Sequence, residues 1–116
     1  MRDFRKYSVW ELGHELTLSV YHLTKSCPEE EKFGLISQMR RASYSIPSNI
    51  AEGCGRESDI EFARFLTIAR GSASELEYFL ILSKDLNLIE EDFEALFDKV
   101  NKTKRSLNNL ITKIKA

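Results

Sequence analysis

Turn-forming residues are scarce in this chain. Its 116 residues include five glycines and two prolines. That is too few tight turns for an all-β fold built from many short strands. No apolar run approaches the ~20 residues of a membrane-spanning helix. The first residues, MRDFRKYSVWELGHEL, lack the continuous apolar stretch of a secretory leader. The two cysteines, Cys27 and Cys54, stand in no CxxC pair and no Cys/His cluster. They read as free thiols of a reducing cytoplasm, not as a disulfide or zinc framework. An excess of charge of either sign is missing too. There are 17 Lys and Arg against 18 Asp and Glu, a net charge of -1 and a pI near 6.1. Nucleic-acid-binding domains usually carry a basic balance. Any such site here must be a local patch.

What is present suits one globular domain. Hydrophobic residues make up 42% and charged residues 30%, so the chain can form a core without staples. Four segments carry helical periodicity. From about Asp3 to Lys25, Val9, Leu12, Leu16, Val20 and Leu23 recur at spacings of three and four, one helical face. Trp10, His14, Thr17 and Tyr21 form a second stripe beside it. Two stripes suit either one wide buried face or a helix packed both inside its own bundle and against another subunit, and on the second reading these four residues are the candidate interface.

Pro28 and the three glutamates after it read as the start of a second helix. That helix puts Leu35, Ile36, Met39, Ala42, Ser43, Ile46 and Ile50 on one face, with Ser37, Arg41, Tyr44, Ser48 and Glu52 opposite. Pro47 removes one backbone hydrogen bond inside this pattern, which predicts a kink. Ser43 and Ser45 are candidates to satisfy the freed backbone groups. Gly53 and Gly55 read as the helix end, one of them in a left-handed cap. Ser58-Asp59-Ile60-Glu61 matches a capping box and opens the third helix. Its stripe is Phe62, Leu66, Ala69, Ala73, Leu76, Leu80 and Ser83. Gly71 and Ser72 lower its bulk midway, which predicts close approach of a neighbouring helix or of Trp10. The fourth helix runs from about Glu91 to Lys115, with Phe93, Leu96, Val100, Leu107, Leu110 and Ile114 as its seam. Short connections predict an all-α, antiparallel, up-down-up-down four-helix bundle spanning residues 1–116.

Little in the chain suggests catalysis. His14 and His22 lie two turns apart, ~12 Å, too far to share a metal. Glu11-Leu12-Gly13-His14 matches Glu-x-x-His once, whereas a di-iron bundle needs it from two helices. Cys54 near Arg56 has no partner base in the pattern and reads as an inert thiol. No metal, cofactor or catalytic group is expected. The charge pattern is more informative. Lys99, Lys102, Lys104, Arg105, Lys113 and Lys115 follow an acidic stretch, with no acid from Lys99 to Ala116. Bases there complement the helix dipole and also suit phosphate contacts. Arg40 and Arg41 are further candidates for phosphate, or for ion pairs with Glu52, Glu75 or Glu77.

Two stretches, FGLISQMRRASYSIPSNIAEGCGRES and EFARFLTIARGSASELEYFL, carry a combined pattern. It resembles the four-helix-bundle family first noticed in intervening sequences of bacterial 23S ribosomal RNA genes. The resemblance covers nearly the whole chain. It implies a ring-like homo-pentamer, and it extends to the basic accessory protein of diversity-generating retroelements, which is implicated in binding nucleic acid. The motif residues Arg40, Arg41, Pro47, Asn49, Glu52, Gly53, Gly55 and Arg56 are then expected to hold the kinked second helix and a subunit contact, with Gly71 and Ser72 as further structural motif residues. The resulting expectation is a cytoplasmic, non-catalytic oligomer associated with RNA or DNA. The alternative is a protein-interaction scaffold that binds no nucleic acid.

Overall fold

The computed structural model describes residues 2–28, 34–89 and 92–116. Among these there are four α-helices and no strand: α1 (Ser8–Thr24), α2 (Leu35–Cys54), α3 (Asp59–Asp85) and α4 (Phe93–Lys115). A 3-10 turn, Phe4–Lys6, precedes α1. Helix α1 packs on α2 and α4, and α3 packs on α2 and α4, so each helix has two neighbours around one core. That is a four-helix bundle. Contacts along α1 and α2 run in opposite order. Gly13 meets Ile46 and Pro47, Thr17 meets Ser43, and Thr24 meets Arg40. The same holds for α3 and α4, where Arg70 meets Asn108, Glu77 meets Lys104 and Lys84 meets Glu94.

The predicted stripes form the core. Leu16, Val20, Ile36, Met39, Ile46, Ile50, Phe62, Leu66, Leu76, Leu80, Val100 and Leu107 are fully buried. Each such side chain contributes roughly 1.5–3 kcal/mol relative to an exposed one. Late in α4 the seam differs from the expected one. Thr103 and Ile111 are buried with Leu107, while Leu110 and Ile114 are only partly covered. The first helix is also shorter than its periodicity suggests. Tyr7 is extended, and the Asp3 carboxylate, accepting from the Arg5 amide, shapes a separate turn before it. That turn seats Arg2 over the Phe62 ring, 4.3 Å from its centroid, and in an ion pair with Asp59.

The serine half of the α3 capping box forms, with the Ser58 hydroxyl accepting from the Glu61 amide at 3.1 Å. The expected start of α2 at Pro28 is not seen: Pro28 is not helical, Glu29–Glu31 lie outside the described residues, and α2 begins at Leu35 after Gly34 at φ -103°. The left-handed glycine cap is not formed: no described glycine has positive φ, and Gly55 sits at φ -82°. The left-handed residues are Asn87 and Asp92, both at φ 61°. Asn87 closes α3, where the Leu88 amide donates to the Ser83 carbonyl and the Asn87 amide to the Lys84 carbonyl. This is the paired terminus that a left-handed residue permits, and asparagine tolerates that conformation.

Glycine serves close approach instead. A Cβ at Gly53 would lie 2.8 Å from Phe65 Cβ, and one at Gly13 would lie 3.0 Å from Ile46 Cγ2. Gly71 is the reverse of its expectation. It is exposed, and a Cβ there would meet nothing within 4 Å, so neither a helix of this chain nor Trp10 packs on it.

Helix α2 continues through Pro47, which is buried. Proline has no amide hydrogen, so the Ser43 carbonyl loses its helical donor. The Ser43 hydroxyl does not replace it: it donates to the Arg40 carbonyl at 2.7 Å. The replacement comes from α1. The Thr17 hydroxyl lies 3.0 Å from the Ser43 carbonyl and 2.8 Å from that of Gly13. Gly13 lets the helices close enough for this bond.

Candidate functional site

The basic residues of α4 divide between two sides. At 100° per residue, Lys99, Lys102, Arg105, Ser106, Asn109 and Lys113 fall within about 120° of one another, while Lys104 and Lys115 lie roughly opposite. Lys99, Lys102, Arg105 and Lys113 are all exposed. They span about 21 Å at 1.5 Å per residue. The Lys99 ammonium donates to the Ser19 hydroxyl at 3.2 Å, which ties this end of the stripe to α1. Lys102 shares a cleft with Glu11 and Glu15 of α1, so the stripe has an acidic margin on that flank.

Lys104 does not belong to the stripe. It turns to α3 and meets the Glu77 carboxylate at 2.9 Å, with the two side chains only 26% and 20% exposed. The Lys104 bond, helped by Asn101, holds the Glu77 carboxyl below its ordinary value, against the opposing effect of burial. A carboxyl lowered in the folded state binds protons less readily there than in the unfolded chain. Its stabilisation is therefore present above the ordinary glutamate range and lost as pH falls through the folded value. Urea midpoints measured from pH 7 down to pH 3 should show this loss. Glu77→Gln should flatten that part of the profile, and an unchanged profile would deny Glu77 the role.

The arginines of the motif are placed separately. Arg40 crosses to α1, where its Nε donates to the Thr24 hydroxyl at 2.8 Å and its guanidinium lies 4.8 Å from the Tyr21 ring centroid. Arg41 is exposed on the outer face of α2. Glu52 pairs with Arg56 at 3.8 Å, and Arg56 covers the Phe65 ring. Asn49 donates to the Ser45 carbonyl at 2.7 Å, within α2. Ser72 is half-buried next to exposed Gly71.

The four candidate interface residues are not equivalent. Thr17 is buried and bonded to α2, so its side chain faces its own bundle. Trp10 is half-buried, edge-on to Phe4 and stacked on exposed His14 at 5.1 Å. Tyr21 is 38% exposed beneath Arg40. A larger apolar exposure was missed. On α3, Ile60 is 84% exposed and Tyr78 57%, with Ile68 and Ile81 near 40%. Ile60, Ile68 and Tyr78 fall on one side of α3, interrupted there by Arg64, Gly71 and Glu75. Those interruptions hide this face from a periodicity reading.

Chemistry of the catalytic kind is sparse among the described residues. No group of three or more His, Cys, Asp or Glu comes together as a metal site requires. Cys54 is buried, and burial pushes its thiol up despite nearby Arg2, the opposite of an activated nucleophile. A cleft of about 380 Å³ between α1 and α4 holds Ser19, His22, Asp92 and Lys99. No described helix is long and apolar enough to cross a membrane.

A sequence profile described as 23S rRNA-intervening sequence protein matches residues 5–109. The chain belongs to that family. Its fold agrees with a solved structure from Bacteroides thetaiotaomicron, a protein of unknown function from the S23 ribosomal protein family. The two are 27% identical, with a TM-score of 0.83 over 90% of this chain and 96% of that one. No curated protein matches the chain in sequence. In this member of the intervening-sequence family, Ser43, Ile46, Pro47 and Gly53 of the motif stretch pack on α1 or α3, while Arg41, Tyr44, Glu52 and Arg56 stay exposed. The exposed cations of α4 stand apart from it.

Proposed function

We propose that the protein is a non-catalytic, self-associating scaffold that holds nucleic acid against the α4 stripe. The observation that carries this reading is the exposure of Lys99, Lys102, Arg105 and Lys113 along one face. Phosphate neutralisation supplies most of the affinity in such binding, and a stripe supplies it locally whatever the net charge. Family membership supports the reading, since its description names a ribosomal RNA intervening sequence. Self-association would multiply the stripe by symmetry.

The test is binding of a labelled RNA across a salt series. The triple variant Lys99→Glu, Lys102→Glu and Lys113→Glu is expected to weaken binding. It should also make the log–log salt slope shallower by about 2 for a single strand, three phosphate contacts at about 0.7 each. An unchanged slope would place the nucleic acid elsewhere.

A second reading is a scaffold for protein alone. The exposed Ile60, Ile68, Tyr78 and Ile81 on α3 favour it, as does the near-neutral charge. Under that reading a defined protein partner co-purifies after nuclease treatment, and the triple variant retains it.

A further inference from the structure

The outer groove between α1 and α2 differs from the α4 stripe in carrying exposed rings. Tyr44 is 47% exposed and Tyr21 38%. His14 is exposed and lies parallel to Trp10, within 7°. These rings border α2, because Thr17, on the same side of α1, bonds to α2 across the base of the groove. Arg40 reaches over from α2 and fixes Tyr21 from one side. Arg41 and Lys25, which share helical stripes with Tyr44 and Tyr21, are exposed.

From Lys25 and Ser37 to Trp10 and Ser48 the groove carries positive charge only. Its α1 positions are Trp10, His14, Thr17, Tyr21 and Lys25, and its α2 positions are Ser37, Arg40, Arg41, Tyr44 and Ser48. None of these is a carboxylate; the next position of the same α2 face, Glu52, is one, and it is paired with Arg56. The α1 acids Glu11 and Glu15 lie on the other flank, in the cleft with Lys102. A groove that offers ring faces and cations together, with no carboxylate at these positions, matches a polyanion that has ring faces of its own. Duplexes bury those faces, whereas single strands expose them.

We propose that this groove stacks the bases of a single-stranded nucleic acid, with Lys25, Arg40 and Arg41 on its phosphates. The proposal rests on the nucleic-acid reading above but not on the α4 stripe, and it places a second, different contact surface on the same molecule.

The chain has one tryptophan, and it lies in this groove. The full chain is titrated with a 15-nucleotide uridine oligomer and with an RNA hairpin of equal length. Both Trp10 emission and labelled-RNA anisotropy are read. The single strand is expected to change Trp10 emission, and the hairpin much less. Tyr44→Ala should weaken the single strand about tenfold or more, one lost stacking contact, and leave the hairpin unaltered. Tyr44→Phe should retain binding. Tyr44 is exposed, so neither variant disturbs the core.

Anisotropy that rises with unchanged Trp10 emission, and with no effect of Tyr44→Ala, would overturn the groove while leaving the α4 reading standing. Absence of binding to either RNA at low salt would overturn both. Emission that shifts with protein concentration alone would show a second copy in the groove and overturn the proposal.

Discussion

Gly53→Ala is expected to lower the unfolding free energy by about 1–3 kcal/mol, the usual range for overpacking. Gly71→Ala is expected to raise it by up to about 1 kcal/mol, the helix-propensity difference between glycine and alanine. Both glycines lie in helices with ordinary φ, so conformational freedom does not separate them. Space does. At Gly53 a methyl group would lie 2.8 Å from Phe65 Cβ and 3.1 Å from Phe62 Cδ1. The first of these atoms is attached directly to the α3 backbone, so no side-chain rotation relieves the clash. Helices α2 and α3 would have to move apart. At Gly71 the same methyl group meets nothing within 4 Å. Urea unfolding at an unchanged m-value reads both effects as midpoint shifts of opposite sign. A neutral Gly53→Ala would mean that Gly53 does not set the approach of α2 to α3. A Gly71→Ala variant that loses stability and self-association together would place a second copy on the outer face of α3.

These two glycines also show where sequence reading stops. A glycine near a helix end is compatible with a left-handed cap, with a close approach, or with neither. Residue type alone does not choose between them: α2 ends on Gly55 with ordinary φ, and the left-handed residue Asn87 closes a different helix, α3. The helices themselves were legible, because apolar spacing of three and four survives any detail of packing. The Ser58 cap was legible because its signal is local. The basic run was legible as a run but not as a surface. Only the partner helix shows that Lys104 is committed to Glu77 while Lys99, Lys102, Arg105 and Lys113 stay exposed. The second stripe of α1 was legible as well, yet its members have different surroundings. Thr17 is the clearest example. Read along α1 it belongs with the aromatics, and read across the bundle it belongs with Pro47.

That crossing contact gives the other large effect expected. Thr17→Val preserves shape and removes the hydroxyl. It is expected to destabilise the bundle by about 1–3 kcal/mol, the loss on leaving a buried carbonyl without a donor. The carbonyl is that of Ser43, a fully buried residue whose helical donor is missing because position 47 is proline. In a Pro47→Ala background the alanine amide is in place to donate to Ser43, as in any uninterrupted helix. There Thr17→Val should lose most of its effect, leaving a coupling of about 1 kcal/mol or more between two residues on different helices. Pro47→Ala alone mixes a helix-propensity gain with lost contacts in the core, so the double-mutant cycle, not the single variant, is the decisive quantity. Thr17→Ser keeps the hydroxyl and should lie closer to the parent than Thr17→Val does. Additive effects would have a definite meaning. The hydroxyl hydrogen would then stay on the Gly13 carbonyl, 2.8 Å away, and the proline would be accommodated within α2. Coupling would instead show that the family's SIP segment and the threonine of α1 form one unit, in which a helix broken chemically at Pro47 is completed by its neighbour.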